Sequence, residues 1–199
     1  MVFIHHRHMK VIIPNLRKQQ AFYFITILLL VSSSANVKAD LNAGLIAYYT
    51  FDGNGNDVSG NGLNATISNA SFVPGHIGKG LAFTGALNSY AEVQPSILLS
   101  PTNAVSVSLW VSVSSFTAAY SSLIYKAALP PTANGFVDRA YTIWVRSDKG
   151  IHVSSTPSES PSQSVLNSPP NGIQTDQFAN IVAVIDTAAH TMKLFIDGT

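Results

Sequence analysis

The chain has 199 residues, within the range of a single all-β domain, and it contains no cysteine, so disulfide bonds do not hold it together. Its formal net charge of +1 hides a division near residue 40. Residues 1–39 carry five basic side chains and no acid, whereas residues 40–199 carry six basic and ten acidic ones, a net charge of −4. This acidic balance argues against nucleic-acid binding, for which a basic patch is expected.

Residues 1–39 have the plan of a secretory signal peptide. Basic side chains precede an apolar run at 21–31, and Val37 and Ala39 occupy the −3 and −1 positions of a cleavage site. The apolar run is shorter than the roughly 20 residues of a membrane span, so membrane contact is expected only if the segment stays uncleaved as an anchor. Met9 is an alternative start. The sequence predicts a signal peptide helix and a domain that is secreted, periplasmic or on the cell surface.

Strand-like segments recur along residues 40–199, separated by clusters of Gly, Pro, Asn and Ser, and no convincing amphipathic helix is found there. The clearest strand is 105–113, in which Val and Leu alternate with Ser and Trp110. The predicted strands are 45–51, 80–83, 90–93, 105–113, 122–126, 141–146, 151–154, 181–185 and 192–196, the last two as a hairpin. Long loops are predicted at 127–139 and 155–176. These elements indicate an all-β fold, an antiparallel β-sandwich of the jelly-roll kind.

The sequence ends at residues 195–199 with the end of a predicted strand and an Asp-Gly turn signal. Such an end would leave an unpaired sheet edge, which favours aggregation. We therefore expect residues 40–199 to form a jelly-roll domain that is incomplete at its C-terminus.

Several segments, taken in order, resemble the concanavalin A-like lectin/glucanase superfamily, in its laminin G-like jelly-roll branch, which is common in exported bacterial proteins. The segments are the opening strand at 44–53, the loop at 56–62, the next strand at 78–83, the central Trp-bearing strand at 105–111 and the late hairpin at 181–198. The resemblance implies a non-catalytic recognition module that binds carbohydrate or a cell-surface protein. One departure is Phe178-Ala179-Asn180, where the family often has Trp-His before the late strand.

No catalytic residues are expected. Retaining glycosidases need two carboxyl groups about 5 Å apart, whereas residues 40–199 contain only Glu92 and Glu159, neither with a second acid nearby in sequence. His76, His152 and His190 are far apart in the sequence and are interpreted as surface residues. Two alternatives to the recognition module stay open. One is a structural or protein-interaction domain without a sugar site, and the other is an accessory domain of a polysaccharide-degrading enzyme whose catalytic part lies downstream.

A calcium site is predicted in the loop that follows the first predicted strand. Residues 52–63 begin like an EF-hand loop but have Asp57 at position six, where Gly is needed, and no Glu at position twelve. The family resemblance instead implies a structural calcium ion, with Asp57 as a ligand and backbone oxygens of Asn61 and Gly62 beside it. The alternative is that Asp57 and Asn61 form hydrogen bonds within their own turn.

Both tryptophans lie on polar faces of their predicted strands. Trp144 shares a face with Thr142 and Arg146, and Trp110 shares one with serines. An indole on a concave sheet can stack on a sugar ring while Ser, Thr and Arg bind its hydroxyl groups. The sequence therefore predicts carbohydrate binding by Trp144, Thr142, Arg146 and Trp110. The alternative is that loops bury the rings, which is the favoured interpretation for Trp110 and is left open for Trp144.

Overall fold

The computed structural model describes residues 43–100, 102–127, 139–156 and 164–199. Within these ranges the chain forms eleven β-strands and one short 3₁₀ helix, Ile97–Leu99. The strands are β1 Ala65–Ser68, β2 Ala70–Pro74, β3 Lys79–Phe83, β4 Tyr90–Val93, β5 Ala104–Ser112, β6 Tyr120–Ala127, β7 Arg139–Arg146, β8 Ile151–Ser155, β9 Ser164–Asn167, β10 Phe178–Asp186 and β11 Thr191–Ile196. The predicted signal peptide lies outside the described ranges. Inside them, no helix is long and apolar enough to cross a membrane.

Two larger antiparallel sheets form the layers of the fold. The three-stranded sheet has the order β11-β10-β5, and the four-stranded sheet has the order β6-β7-β8-β9. Two smaller pairs, β1 with β4 and β2 with β3, complete the sheets of the described residues.

The apolar core lies between the three-stranded and the four-stranded sheet. Alternate residues of β10, from Ala179 to Ile185, are buried. The valines of β5 pack against the same cluster, and so do Ile143 and Ile151 of the four-stranded sheet, which are at most 1% exposed. Sheets that bury their facing sides against each other form a β-sandwich. The predicted all-β class is confirmed, and the arrangement of the sheets agrees with the predicted sandwich.

The pairing register decides which side chains point away from this core. Strand β5 pairs with β10 along its whole length, with Trp110 opposite Asn180. Strand β7 pairs with β8, with Trp144 opposite His152. A slip of one residue would move every side chain of a strand to its other face. The apolar inner faces of β5 and β7 therefore hold both tryptophans on the outer faces of the sandwich.

Most predicted strands are confirmed, with ends displaced by a few residues. The predicted strand at 90–93 is β4, and the predicted late hairpin is β10 and β11. Three observed strands have no counterpart in the prediction: β1, β2 and β9, the last within the segment predicted as a loop at 155–176. These strands have four or five residues each.

The prediction of a strand at 45–51 is wrong. Only an isolated bridge between Tyr49 and Asp57 forms there. Phe51, the last residue of the predicted strand, has a φ of 54°, in the left-handed region, so the chain is not extended there. The backbone N–H of Tyr48 donates to the Asp57 carboxylate at 3.0 Å. A local side-chain acceptor thus takes a donor that a sheet ladder would otherwise use.

Candidate functional site

The outer face of the four-stranded sheet carries a recess with a volume of about 290 Å³. Tyr120, Arg139, Trp144 and His152 line it, and we call it the Trp144 recess. Trp144 and His152 are neighbours across β7 and β8. Tyr120, at the start of β6, meets the His152 ring edge-on, with ring centroids 5.3 Å apart. Rings from three adjacent strands therefore wall the recess.

Arg139 and Tyr125 approach the Trp144 ring from two further directions. Arg139 Cζ lies 5.6 Å from the ring centroid, within cation–π range. The Tyr125 ring meets the indole at 81°, with centroids 5.9 Å apart, an edge-to-face contact. Trp144 Nε1 is buried and has no acceptor in the described part of the chain. An unpaired buried donor costs about 1–3 kcal/mol, and because the atom is buried a ligand in the recess does not reach it in this arrangement.

His152 is buried, which corrects its interpretation as a surface residue. It is 8% exposed and lies in β8, a strand whose residues are all buried. His152 Nδ1 lies 2.8 Å from Asn167 Oδ1. An amide oxygen only accepts, so Nδ1 is the donor in this contact. His76 and His190 are exposed, as predicted.

Thr142 and Arg146 flank Trp144 on β7, but both are engaged within the protein. Thr142 is fully buried, and its hydroxyl lies 2.6 Å from that of Ser154. It therefore cannot touch a ligand in this arrangement, which corrects its predicted exposure. Arg146 donates from Nε to the Asp148 carboxylate at 3.0 Å and from Nη2 to the second carboxylate oxygen. This hydrogen-bonded pairing raises the pKa of Arg146 and lowers that of Asp148.

Trp110 lies on the outer face of the three-stranded sheet and is 46% exposed, so the prediction that loops bury it is wrong. The His76 ring stacks on the indole, with centroids 3.5 Å apart and planes 12° apart. The same imidazole meets Phe178 edge-on at 5.7 Å. Phe178 and Phe195 on this face are 42% and 37% exposed. We call these four residues the Trp110 face, an open aromatic surface separate from the Trp144 recess.

The loop of the predicted calcium site is closed by hydrogen bonds to the Asp57 carboxylate. Oδ1 accepts from the backbone N–H groups of Tyr48 and Ser59, and Oδ2 accepts from the Ser59 hydroxyl and the Leu63 N–H, all at 2.9–3.0 Å. Burial by itself raises the pKa of Asp57, but these hydrogen bonds outweigh it and lower the pKa to about 2. The carboxylate therefore stabilises the loop in its ionised form.

These contacts match the alternative interpretation, in which Asp57 and Asn61 stabilise their own turn. A carboxylate has about four acceptor positions, and N–H and O–H donors occupy them here. Asn61 donates its side-chain N–H groups to the carbonyl oxygens of Leu45 and Ile46. The described residues contain no group of three or more His, Cys, Asp or Glu side chains that could hold a metal. This arrangement fits calcium only if the ion replaces those donors, and calcium at Asp57, Asn61 and Gly62 stays a prediction.

The two glutamates weighed for catalysis lie in different settings. Glu92 lies in β4, opposite Thr66 of β1, and Glu159 lies outside the described residues. The prediction that the chain has no catalytic residues is not tested by these positions and stays a prediction.

The described residues form a β-sandwich domain with an aromatic recess on one outer face and an open aromatic surface on the other. A family model described as the concanavalin A-like lectin/glucanases superfamily, of the laminin G type, matches residues 83–199. This match covers more than half of the chain and every strand from β4 onward, so the chain belongs to this superfamily. No curated protein and no solved structure matches the chain significantly. Laminin G-like domains are typically non-catalytic binding modules, and the superfamily in general binds carbohydrate or protein.

Proposed function

We propose that the chain is an exported recognition module that binds carbohydrate in the Trp144 recess. The observation that carries this proposal is the lining, in which three rings and one guanidinium surround about 290 Å³. Ligand sites have volumes of roughly 300–1,000 Å³, so this recess suits a single sugar unit of a longer glycan. The family membership supports binding of carbohydrate or protein without specifying the ligand.

The residues of the recess supply the two kinds of contact that a sugar ring needs. Tyr120 is 53% exposed and offers an accessible ring on which the C–H face of a pyranose can pack. Arg139 offers N–H donors beside the Trp144 ring, and the Tyr120 hydroxyl can donate or accept. The module acts by binding alone, and no step of the proposal breaks a bond.

The proposal also includes export of the chain and a structural calcium ion, which rest on separate observations. The predicted signal peptide at residues 1–39 supports a location outside the cell, in the periplasm or on the cell surface. Structural calcium is proposed only as a stabiliser of the Asp57 loop, at a distance in sequence from the recess. Millimolar calcium should then raise the melting temperature of the chain but not that of Asp57→Ala. An unchanged melting curve of the unsubstituted chain would remove calcium from the proposal.

A glycan panel followed by calorimetry tests carbohydrate binding. Trp144→Ala should weaken binding by about tenfold or more, because it removes the ring that Arg139 and Tyr125 hold in place. Trp110→Ala is the matched control, since it removes the same ring from the other sheet, and it should leave the affinity within about twofold. If a cooperatively melting chain binds nothing on a broad panel, the proposal is wrong.

The Trp110 face supports a second candidate function, the docking of a partner protein. Trp110, Phe178 and Phe195 are 37–46% exposed on one side of one sheet. Clustered exposed aromatic residues are typical of interaction surfaces. If this function is the correct one, Trp110→Ala will abolish partner capture, Trp144→Ala will not, and the glycan panel will be negative. The same two variants therefore separate the two functions.

A further inference from the structure

We propose that the ligand of the Trp144 recess is an acidic saccharide whose carboxylate or sulfate group binds Arg139, an inference that rests on the carbohydrate binding proposed above. The lining is rich in hydrogen-bond donors. A guanidinium offers five N–H donors and no acceptor. Because Arg139 supplies only donors, a ligand group that binds it must supply the acceptors.

Acceptors are few in the same lining. His152 is only 8% exposed and uses Nδ1 as a donor to Asn167, at 2.8 Å. The Tyr120 hydroxyl can donate or accept. A sugar hydroxyl brings its own donor and needs an acceptor in return, whereas a carboxylate or sulfate brings only acceptors. The composition of the recess therefore favours an anionic group over a cluster of hydroxyl groups.

Charge leads to the same ligand class. Arg139 is the cation of the recess, and no carboxylate occurs among the described residues that line it. The charge of Arg146, on the same strand, is balanced by its salt bridge to Asp148. A planar guanidinium binds a carboxylate or sulfate through two parallel hydrogen bonds, and the nearby Trp144 ring favours its position by a cation–π contact. Residues 40–199 have a net charge of −4, so the overall charge of this part of the chain does not attract anions and a local cation is needed.

Calorimetry with three oligosaccharides tests the inference: an oligogalacturonate, its carboxyl-reduced neutral counterpart and a sulfated galactan oligosaccharide. We expect an anionic probe to bind at least about tenfold more tightly than the neutral one, with an advantage that shrinks as salt is added. Arg139→Gln should remove the preference. Arg139→Lys should keep part of it, because the charge stays while the two-pronged geometry is lost. The control Lys193→Gln removes an exposed cation from the three-stranded sheet and should change nothing.

The outcomes separate this inference from the proposed function. Equal affinity for the neutral and both anionic probes, unchanged in Arg139→Gln, would overturn the acidic ligand and leave carbohydrate binding standing. Binding of no saccharide by a cooperatively melting chain would refute the proposed function itself. A preference for one anionic probe over the other supports the inference and identifies carboxylate or sulfate as the group bound.

Discussion

The two outer faces of the sandwich carry one tryptophan each, and the surroundings of the two rings differ. Trp110 is 46% exposed, and the His76 ring is stacked flat against it. Trp144 borders a recess, with Arg139 over its ring and Tyr125 at its edge. A tryptophan on the outer face of a strand is therefore not sufficient to define a binding site. The residues that neighbouring strands place around it decide whether the ring belongs to an open surface or to a recess.

Cross-strand neighbours explain this difference. Trp110 lies opposite Asn180, whose amide bonds back toward β5. Trp144 lies opposite the His152 ring, which Tyr120 covers edge-on. Cross-strand pairs determine the local packing of a sheet. Aromatic neighbours therefore surround the Trp144 ring, whereas the asparagine opposite Trp110 leaves that ring more exposed. The walled side suits a small ligand, and the open side suits a protein surface.

The largest effect is expected from the core that both faces share. Ile181 is fully buried in β10, the central strand of the three-stranded sheet. Ile181→Ala should lower the free energy of unfolding by about 3 kcal/mol, because it removes buried methylene groups and leaves a cavity. Urea denaturation followed by circular dichroism measures the loss. Ser106→Ala, on the exposed side of β5, is the control and should stay within about 0.5 kcal/mol. A similar small loss for Ile181→Ala would contradict a core shared by the two sheets.

Replacing each tryptophan in turn should sharpen the contrast between the faces. Trp144→Ala should lower the free energy of unfolding by about 2 kcal/mol and Trp110→Ala by less than about 1 kcal/mol, because only Trp144 is packed among rings of its own sheet. Fluorescence gives an independent measurement. Acrylamide should quench Trp144→Phe, which retains Trp110, more strongly than Trp110→Phe. Equal quenching of the two variants would show that the two rings do not differ in exposure.

A smaller effect is expected at the Asp57 loop, which lies apart from both faces in the sequence. The pKa of Asp57 is about 2 in the folded chain and close to 3.9 in an unfolded one. The resulting stabilisation is complete above about pH 4 and is lost as the pH falls toward 2. It is on the order of 1 kcal/mol after allowance for solvent screening. Thermal melts between pH 2 and 5 should show this loss in the unsubstituted chain, and the curve of Asp57→Asn should be flatter. Parallel curves would contradict the depressed pKa.

The sequence predicts the strands that carry the two tryptophans better than it predicts the residues that surround each ring. In β5, Val and Leu alternate with Ser and Trp110, so its inner face is evident without a structure. Strand β10 is apolar at seven of its nine positions, so its sequence reveals a strand but not which side is buried. The recess has no comparable signal. Tyr120, Arg139 and His152 are far apart in the sequence, and they meet only through the pairing of β6, β7 and β8. A register shift between Lys126 and Ala127 further changes the pairing beside Arg139.

Burial of polar residues is the second feature that the hydrophobic pattern of the sequence does not predict. Strand β8 reads Ile-His-Val-Ser-Ser, which predicts one exposed face, yet every residue of it is buried. Its polar side chains are paired within the sheet, His152 with Asn167 and Ser154 with Thr142. Such pairs make burial of polar groups tolerable, but they depend on neighbours that a single strand does not reveal.

The smallest effect is expected from the Arg146–Asp148 pair. Arg146 is the cross-strand partner of Tyr120, which lines the recess. The Asp148 side chain is 41% exposed, and exposed ion pairs contribute little to stability, so Asp148→Asn should leave the urea midpoint nearly unchanged. The substitution frees the guanidinium of Arg146, which lies opposite Tyr120 in the strand register. Affinity for an oligogalacturonate should then rise by up to about threefold, because a second cation faces the anion, while affinity for the neutral oligosaccharide stays constant. Calorimetry with both probes measures this difference. A fall in affinity for both probes would instead indicate that the paired Arg146 already contacts the ligand, as the sequence predicts.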